Sequence, residues 1–374
     1  MSIPYLPPLD LVESIETAWG TARYPAGCAH CGQVFLLEEY HPEQLCPTCA
    51  QAMLQAQPAL LRQEPPELLI PFRLEQADLR PILEAFVKPV WLPCADFTPD
   101  MLLQRVVPVY WPMWLVDSDI VGHWEAEVGF DYKVKSSQES YSAHGWQSHE
   151  VIETRVRWEP RVGQLQRRYE NIAVPALHDQ HTLAQHIGPY QHESAIAYHP
   201  SLLNGATVRV PDLQPRHAWP EAQVHLAHAA ADECRRSTDA QHIRSFTLSA
   251  DYEALNWTQR LHPLYVTYYT DDQGQRHPIY LNGQSGAIGG LRLASQRRGW
   301  RYAGIIAAVA GVLLLVGVLL LLLGSMVAQL QSVGMGIILL SVPVGLAALV
   351  PALWPWQWNR QQQEPPVISR SSPQ

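Results

Sequence analysis

Two CxxC pairs separated by fourteen residues, a helix-then-strands pattern that occurs twice, and two long uncharged apolar runs near the end of the chain predict a multi-domain protein. The predicted fold is an N-terminal zinc ribbon, an α+β body of two αβββ-like units, and a C-terminal transmembrane helical hairpin. The predicted boundaries are 1–26 for an N-terminal segment with a short helix, 27–62 for the ribbon and a following helix, and 63–295 for the body. A basic juxtamembrane collar follows at 296–302, then two transmembrane helices at 303–354 and a disordered tail at 355–374.

The first ten residues contain neither a basic region nor an apolar run, so no cleavable signal peptide is expected. Asp10 and Glu13 have the spacing of a capping box, which starts a helix over 11–19 that Gly20 ends. Cys28-Ala-His-Cys31-Gly32 and Cys46-Pro-Thr-Cys49 then form the most specific chemical signal in the chain. Two such knuckles place four thiolates around one tetrahedral Zn²⁺, with residues 34–37 as a strand in the intervening hairpin. Four cysteines close the coordination sphere, so the one zinc is expected to be structural; a catalytic zinc keeps an open position. His30 and His41 are not needed as ligands, and two redox dithiols are the weaker alternative. The second knuckle ends in Ala50 where glycine is more usual.

Residues 50–61 have helical composition, and Pro65 and Pro66 centre a linker over 62–67. Asp78 is placed to cap a helix through Lys88, with Leu79, Ile82, Leu83 and Phe86 as its apolar stripe. Strands follow over 106–116, 125–135 and 151–158, with a serine-rich hairpin loop at 136–142. After a loop-rich passage, 178–215, the pattern repeats: helix over 218–237, strand over 243–257, and a hairpin of 264–270 and 278–281 around Asp271-Asp-Gln-Gly274.

The runs 303–323 and 334–354 each hold 21 residues without an ionisable side chain, enough to cross a hydrocarbon layer of about 30 Å. Arg297, Arg298 and Arg301 precede the first and Arg360 and Arg370 follow the second, which places both termini in the cytoplasm and the body at the inner membrane. Trp300, Tyr302, Trp354, Trp356 and Trp358 then mark one membrane interface. Ala303, Ala307 and Gly311 form a small-residue ridge for close helix approach.

Formal net charge is −9, and residues 1–295 carry 21 basic against 34 acidic side chains. An acidic body does not suit nucleic acid, whereas the basic collar suits anionic lipid. The chain has three lysines, Lys88, Lys133 and Lys135, and no phosphate-cradling GxxxxGK[ST] loop, which excludes that route to helicase chemistry. There is no GxSxG, and Cys94 and Cys234 read as small buried apolar residues. Asp117 with Asp119 and Asp271 with Asp272 read as turn residues. Among sixteen histidines, His178, His181 and His186, and His225 with His228, have spacings compatible with a second metal, the basis of an alternative reading as a metal-dependent hydrolase. Tyr110, Trp111 and Trp114 read as core packing, or alternatively as an exposed aromatic docking surface.

Pro71-Phe72, Tyr110-Trp-Pro-Met-Trp-Leu-Val-Asp117, Tyr169-Glu-Asn-Ile-Ala-Val-Pro175, Pro189-Tyr190, Pro263 and Leu281-Asn-Gly-Gln-Ser-Gly286 occur in an order that resembles a family of bacterial zinc-ribbon (TFIIB-type) membrane proteins. Members are often labelled primosomal protein N′ or helicase-like. The resemblance spans roughly Cys28 to the membrane, and departs at Gln275, where the family carries a basic residue, and around Gly289. It implies a setting beside PspA-type and SPFH or virion-core-like proteins. The expected function is therefore a non-enzymatic, membrane-anchored cytoplasmic adaptor or scaffold in a membrane-stress or membrane-organising assembly.

Overall fold

The computed structural model describes residues 9–41, 43–57, 64–142, 145–323 and 328–363. In chain order the elements are α1 (Leu9–Trp19), β1 (Tyr24–Cys28), β2 (Val34–Leu37), β3 (Leu54–Ala56), β4 (Leu68–Leu69), α2 (Gln76–Val87), α3 (Pro99–Gln104), β5 (Val107–Ser142) and β6 (Gly145–Pro175). They continue with α4 (Gln180–Ile187), β7 (Ile196–Ala197), β8 (Thr207–Arg209), α5 (Pro215–Ser237), β9 (His242–Thr270), β10 (Arg276–Asn282), β11 (Ile288–Gly290), α6 (Gln296–Leu323), α7 (Ala328–Ala347) and α8 (Leu349–Gln363). Two compact units result, one of Met1–Trp111, Asp179–Val210 and Leu261–Gln374, the other of Pro112–His178 and Pro211–Arg260. These units cut across the two predicted helix-then-strands rounds, because β5 from the first round pairs with β9 from the second.

The first unit is built on a mixed sheet ordered β11-β10-β9-β5-β8-β2-β1-β3, with β4 and β7 beside it. The β5–β8 pair is parallel, with Val109 opposite Thr207. The hairpin of β1 and β2 joins the sheet through Phe35 opposite Arg209 and Leu36 opposite Val208. The ribbon strands are thus continuous with the body's sheet. The physical cause is that β2, with two faces of apolar side chains, has a second edge to pair and finds it on β8.

Helix α1 lays Leu11, Ile15 and Trp19 against Tyr110, Leu203, Val208 and Leu261. Each such burial stabilises by about 2 kcal/mol. Gly20, at φ +69°, ends the helix by donating its N–H to Glu16 O at 2.8 Å. Helix α2 starts three residues earlier than predicted, with Glu75 at the N-cap, and Asp78 completes the capping box from the third helical position: its carboxylate accepts from the Glu75 N–H at 2.9 Å. Leu79, Leu83, Phe86 and Val87 pack with Phe97, Leu102, Tyr269 and Ile279.

In the second unit β6, β5 and β9 form an antiparallel sheet with α5 across one face. Even-numbered residues of β5 from Trp114 to Val128 meet Ala218, Ala222, Leu226, Ala230 and Cys234, which recur every fourth residue along α5. Cys234 is a buried apolar residue, as predicted.

Several local expectations are corrected. Residues 50–57 are not helical; Met53 bridges Leu45 and β3 follows, because the Leu54 N–H is drawn to Gln44 O at 2.8 Å. The remainder of that predicted helix lies outside the described residues. The three strands at 106–116, 125–135 and 151–158 are parts of two continuous ones, and 136–142 is strand, not loop. Asp117 and Asp119 lie within β5 beside a register shift at Val116/Ser118, where the Asp117 carboxylate accepts from the Asn171 N–H at 2.8 Å. The passage 178–215 contains α4, β7 and β8. Residues 355–363 are helical, continuing α8 past the apolar run; the rest of the predicted tail lies outside the described residues.

Two helices, Gln296–Leu323 and Leu330–Gln362, are long and apolar enough to cross a membrane. The face that α6 buries is Gly299, Ala303, Ala310 and Gly317, not the predicted ridge of Ala303, Ala307 and Gly311. A spacing of seven keeps a seam facing its partner over two turns, while a spacing of four drifts around the helix. Backbones approach closely at Gly317 and Gly334, where a Cβ on Gly334 would stand 2.8 Å from Gly317 O and 2.8 Å from Leu321 N. Both obstacles are backbone. Gly334→Leu is expected to force the helices apart and cost about 1–3 kcal/mol, read as a lower thermal midpoint of the full chain in detergent.

Candidate metal centre

The four predicted ligands Cys28, Cys31, Cys46 and Cys49 converge, their Sγ atoms all within 4.8 Å of one another. Cys28 Sγ lies 3.6 Å from Cys49 Sγ and Cys31 Sγ lies 3.6 Å from Cys46 Sγ. A tetrahedron of thiolates around a metal at about 2.3 Å has edges of about 3.8 Å, so the cage fits one metal ion without rearrangement. Among the described residues this is the only His, Cys, Asp or Glu group close enough to hold one.

The two knuckles have the same local construction. The Gly32 N–H donates to Cys28 O at 2.8 Å, and the Ala50 N–H donates to Cys46 O at 2.9 Å. Each is followed by a left-handed residue, Gly32 at φ +72° and Ala50 at φ +53°. This opens backbone N–H groups toward sulfur: that of Gln51 reaches Cys49 Sγ at 3.5 Å. Ala50 carries the strain that Gly32 avoids. Ala50→Gly is expected to stabilise the fold by about 0.5–1 kcal/mol, visible as slower metal loss to a competing chelator.

Cys46 donating to its sulfur holds the Cys31 thiol down to about 5, with burial opposing and the Gln33 N–H assisting. The same pairing, together with burial, drives Cys46 above the ordinary thiol range. Metal uptake displaces thiol protons, and affinity falls as pH falls.

The cage is braced from β10. Tyr280 OH donates to Thr48 O at 2.8 Å, the Arg276 guanidinium donates to Ala50 O at 3.1 Å, and the Gln51 side chain donates to Arg276 O at 2.7 Å. Gln33 and Arg209 both donate to Asp179, Arg209 through two bonds at 3.1 and 2.7 Å. None of these partners carries a local sequence signal; Tyr280, Arg276 and Asp179 are more than a hundred residues away in the chain.

The other candidates are placed as follows. His178 pairs with Asp212, His225 with Glu221 and His228 with Asp232, each outside any such cluster. A cavity of about 340 Å³ is lined by Cys94, Asp271, Asp272 and His277. Its two carboxylates are already hydrogen-bonded. Asp271 accepts from Gln273 N, Gln275 N and His277 Nε2, and Asp272 accepts from Ser295 Oγ and the Arg297 N–H. Burial pushes the Cys94 thiol up to about 12, away from nucleophile behaviour.

Tyr110, Trp111 and Trp114 are buried, which corrects the docking-surface alternative. Tyr110 OH donates to Leu202 O and its ring meets Phe72 edge-on, Trp111 lies against Tyr190 and His262, and Trp114 Nε1 donates to Leu213 O. Of the interface set, Trp356 is exposed, while Trp354 and Trp358 pack partly on the α2 core. Arg297, Arg298 and Arg301 sit in the first turns of α6, a position opposed by the helix dipole. Asp272 and Ser295, accepting from the Arg297 and Arg298 N–H groups, offset this. Compared with protein-family models, curated proteins and solved structures, the chain gives no match in any of the three.

Proposed function

We propose that this chain is a membrane-anchored, non-enzymatic adaptor or scaffold whose single metal is a structural zinc. The observation that carries the reading is a cluster of four cysteine sulfurs, enough to fill a tetrahedral site, in the same compact unit as two helices apolar enough to span a bilayer. Thiolate ligands in a tetrahedral array favour zinc among the common divalent ions. The bare link and the arginines at both outer ends support a placement of the body and both termini on the cytoplasmic side of the inner membrane. Membrane lipid is then one partner, and protein partners are the others.

The ribbon's merger with the body's sheet shifts the proposed role of the metal. It fastens the N-terminal wing to β8 and β10 and so shapes the platform, instead of presenting a separate knob. The resemblance to zinc-ribbon membrane proteins supports a setting with PspA-type or SPFH-type assemblies, in membrane stress or membrane organisation.

The test is affinity capture of the full chain from detergent-solubilised membranes, alongside Cys28→Ser/Cys46→Ser. Co-purification of a PspA-type or SPFH-type protein with the wild type and its loss from the variant is the expected result. Capture of no protein by either form would overturn the adaptor reading. Salt-dependent nucleic-acid binding by the detergent-purified chain would overturn it in favour of a membrane-tethered nucleic-acid binder.

A further inference from the structure

Trp91 is 54% exposed, although its neighbours Val90 and Leu92 are buried. The loop that carries it, residues 88–93, is rigidly placed. The Val90 N–H donates to Val87 O at 3.0 Å, and the Ser295 N–H donates to Leu92 O at 2.7 Å. Pro93 also bridges Ala294. The loop is therefore tied to the residue immediately before α6. On its other side the Trp91 ring meets Trp354 edge-on at 5.6 Å, and Trp354 stacks on Trp358 at 5.2 Å.

Trp354 is the last residue of the second apolar run. An indole in contact with it and still half exposed stands at the height where hydrocarbon gives way to headgroups. Tryptophan is favoured at that boundary, since its ring is apolar and its N–H is polar. Lys88, the first residue of the loop, is exposed, and the Arg292 guanidinium lies over the rings of Phe86 and Trp358 at 5.5 and 6.0 Å. Among the described residues Lys88, Arg292, Arg297, Arg298 and Arg301 form no ion pair, whereas Arg105, Arg168 and Arg209 are paired with carboxylates. Cations left without carboxylates around an exposed indole match a surface of lipid phosphates.

We propose that the 88–93 loop is a third membrane contact, which seats the folded body on the interfacial layer of an anionic bilayer. Trp91 lies among the headgroups, and Lys88 and Arg292 hold lipid phosphates. This rests on reading α6 to α8 as the membrane anchor, and it adds to that anchor a surface made by residues two hundred positions earlier in the chain.

The test places the photo-crosslinking residue p-benzoylphenylalanine at Trp91, and separately at Trp356, in the full chain. Each is reconstituted in phosphatidylcholine vesicles with and without phosphatidylglycerol, and adducts are read by mass spectrometry. Phospholipid adducts at both positions, with the yield at Trp91 higher when phosphatidylglycerol is present, are the expected result. Lys88→Gln and Arg292→Gln should each lower the yield at Trp91 about five-fold and leave that at Trp356 unchanged, the equivalent of about 1 kcal/mol per basic residue near an anionic surface. Lipid adducts at Trp356 with none at Trp91 would overturn the inference and leave the anchor standing. Adducts at neither position would overturn the anchor itself. A cross-link from Trp91 to a second copy of the chain would overturn the inference by making the loop a subunit contact.

Discussion

Removing the metal, by a strong chelator or by Cys46→Ser, is expected to unfold the wing of β1, β2 and β3 while the helices of the apolar pair persist. The wing's own core consists of Ala26, Phe35, Leu37 and Leu54 around the cysteines. At about 2 kcal/mol per large side chain this falls far short of offsetting the ordering of its backbone, which costs about 1.5 kcal/mol per residue. A structural thiolate site supplies on the order of 10 kcal/mol of apparent binding free energy at neutral pH, enough to close that gap. Native mass spectrometry should show one metal ion per chain before chelation and none after. Limited proteolysis should then cut first within the wing. Acidification should reproduce the effect, since protons compete with the metal for the thiolates, and retention should be complete above neutrality and lost as pH falls. A wing that stays protease-resistant without metal would remove the structural role assigned to the cage.

Asp179→Ala is expected to destabilise the first unit by about 3–5 kcal/mol, the second large effect. Arg209 is buried in β8, between β2 and β5, and Asp179 supplies both of its paired oxygens. Deleting the carboxylate takes away the acceptor of both charged hydrogen bonds of a buried guanidinium, which costs far more than the pair itself contributes. The same carboxylate receives Gln33 from the strand-bearing loop of the first knuckle. The damage should therefore reach the metal cage, appearing as a lower thermal midpoint together with faster metal release. Replacing both partners, Asp179→Asn with Arg209→Met, should recover much of the stability, because it removes the buried charge as well. Equal loss in the single and double variants would assign the effect to packing.

These two sites differ in how they could be found. The four cysteines were legible because a tight metal-binding turn is a local object: its spacing is fixed by the reach of a few residues. Locality also explains why β2 was predicted at Val34–Leu37, the structure's own bounds, and why the hairpin around Asp271 to Gly274 was placed correctly. Asp179, Asp272 and Tyr280 carry no such mark. Each acts on a segment brought to it by the fold, and an aspartate that neutralises a buried arginine looks in sequence like any turn aspartate.

Strand length was misread for a related reason. Polar residues such as Asp117, Asp119 and His123 break the apolar composition of β5, yet they only mark the face opposite α5, and the alternation that α5 reads continues through them. Tyr110, Trp111 and Trp114 left open whether a run of aromatics was core or surface. Burial decided it, and burial depends on what lies across the sheet.

The sequence by itself determined the chemistry of the cage, the two uncharged rods and the sign of charge at their ends, because thiol spacing, chain-length hydrophobicity and formal charge are properties of contiguous residues. Only the tertiary structure decided that the ribbon strands are continuous with the body's sheet, that α8 outlasts the apolar run, and that Trp91 stands beside Trp354. Those facts arise from strand edges and side chains that pair across long stretches of chain, where the free energy belongs to the contact and neither partner announces it alone.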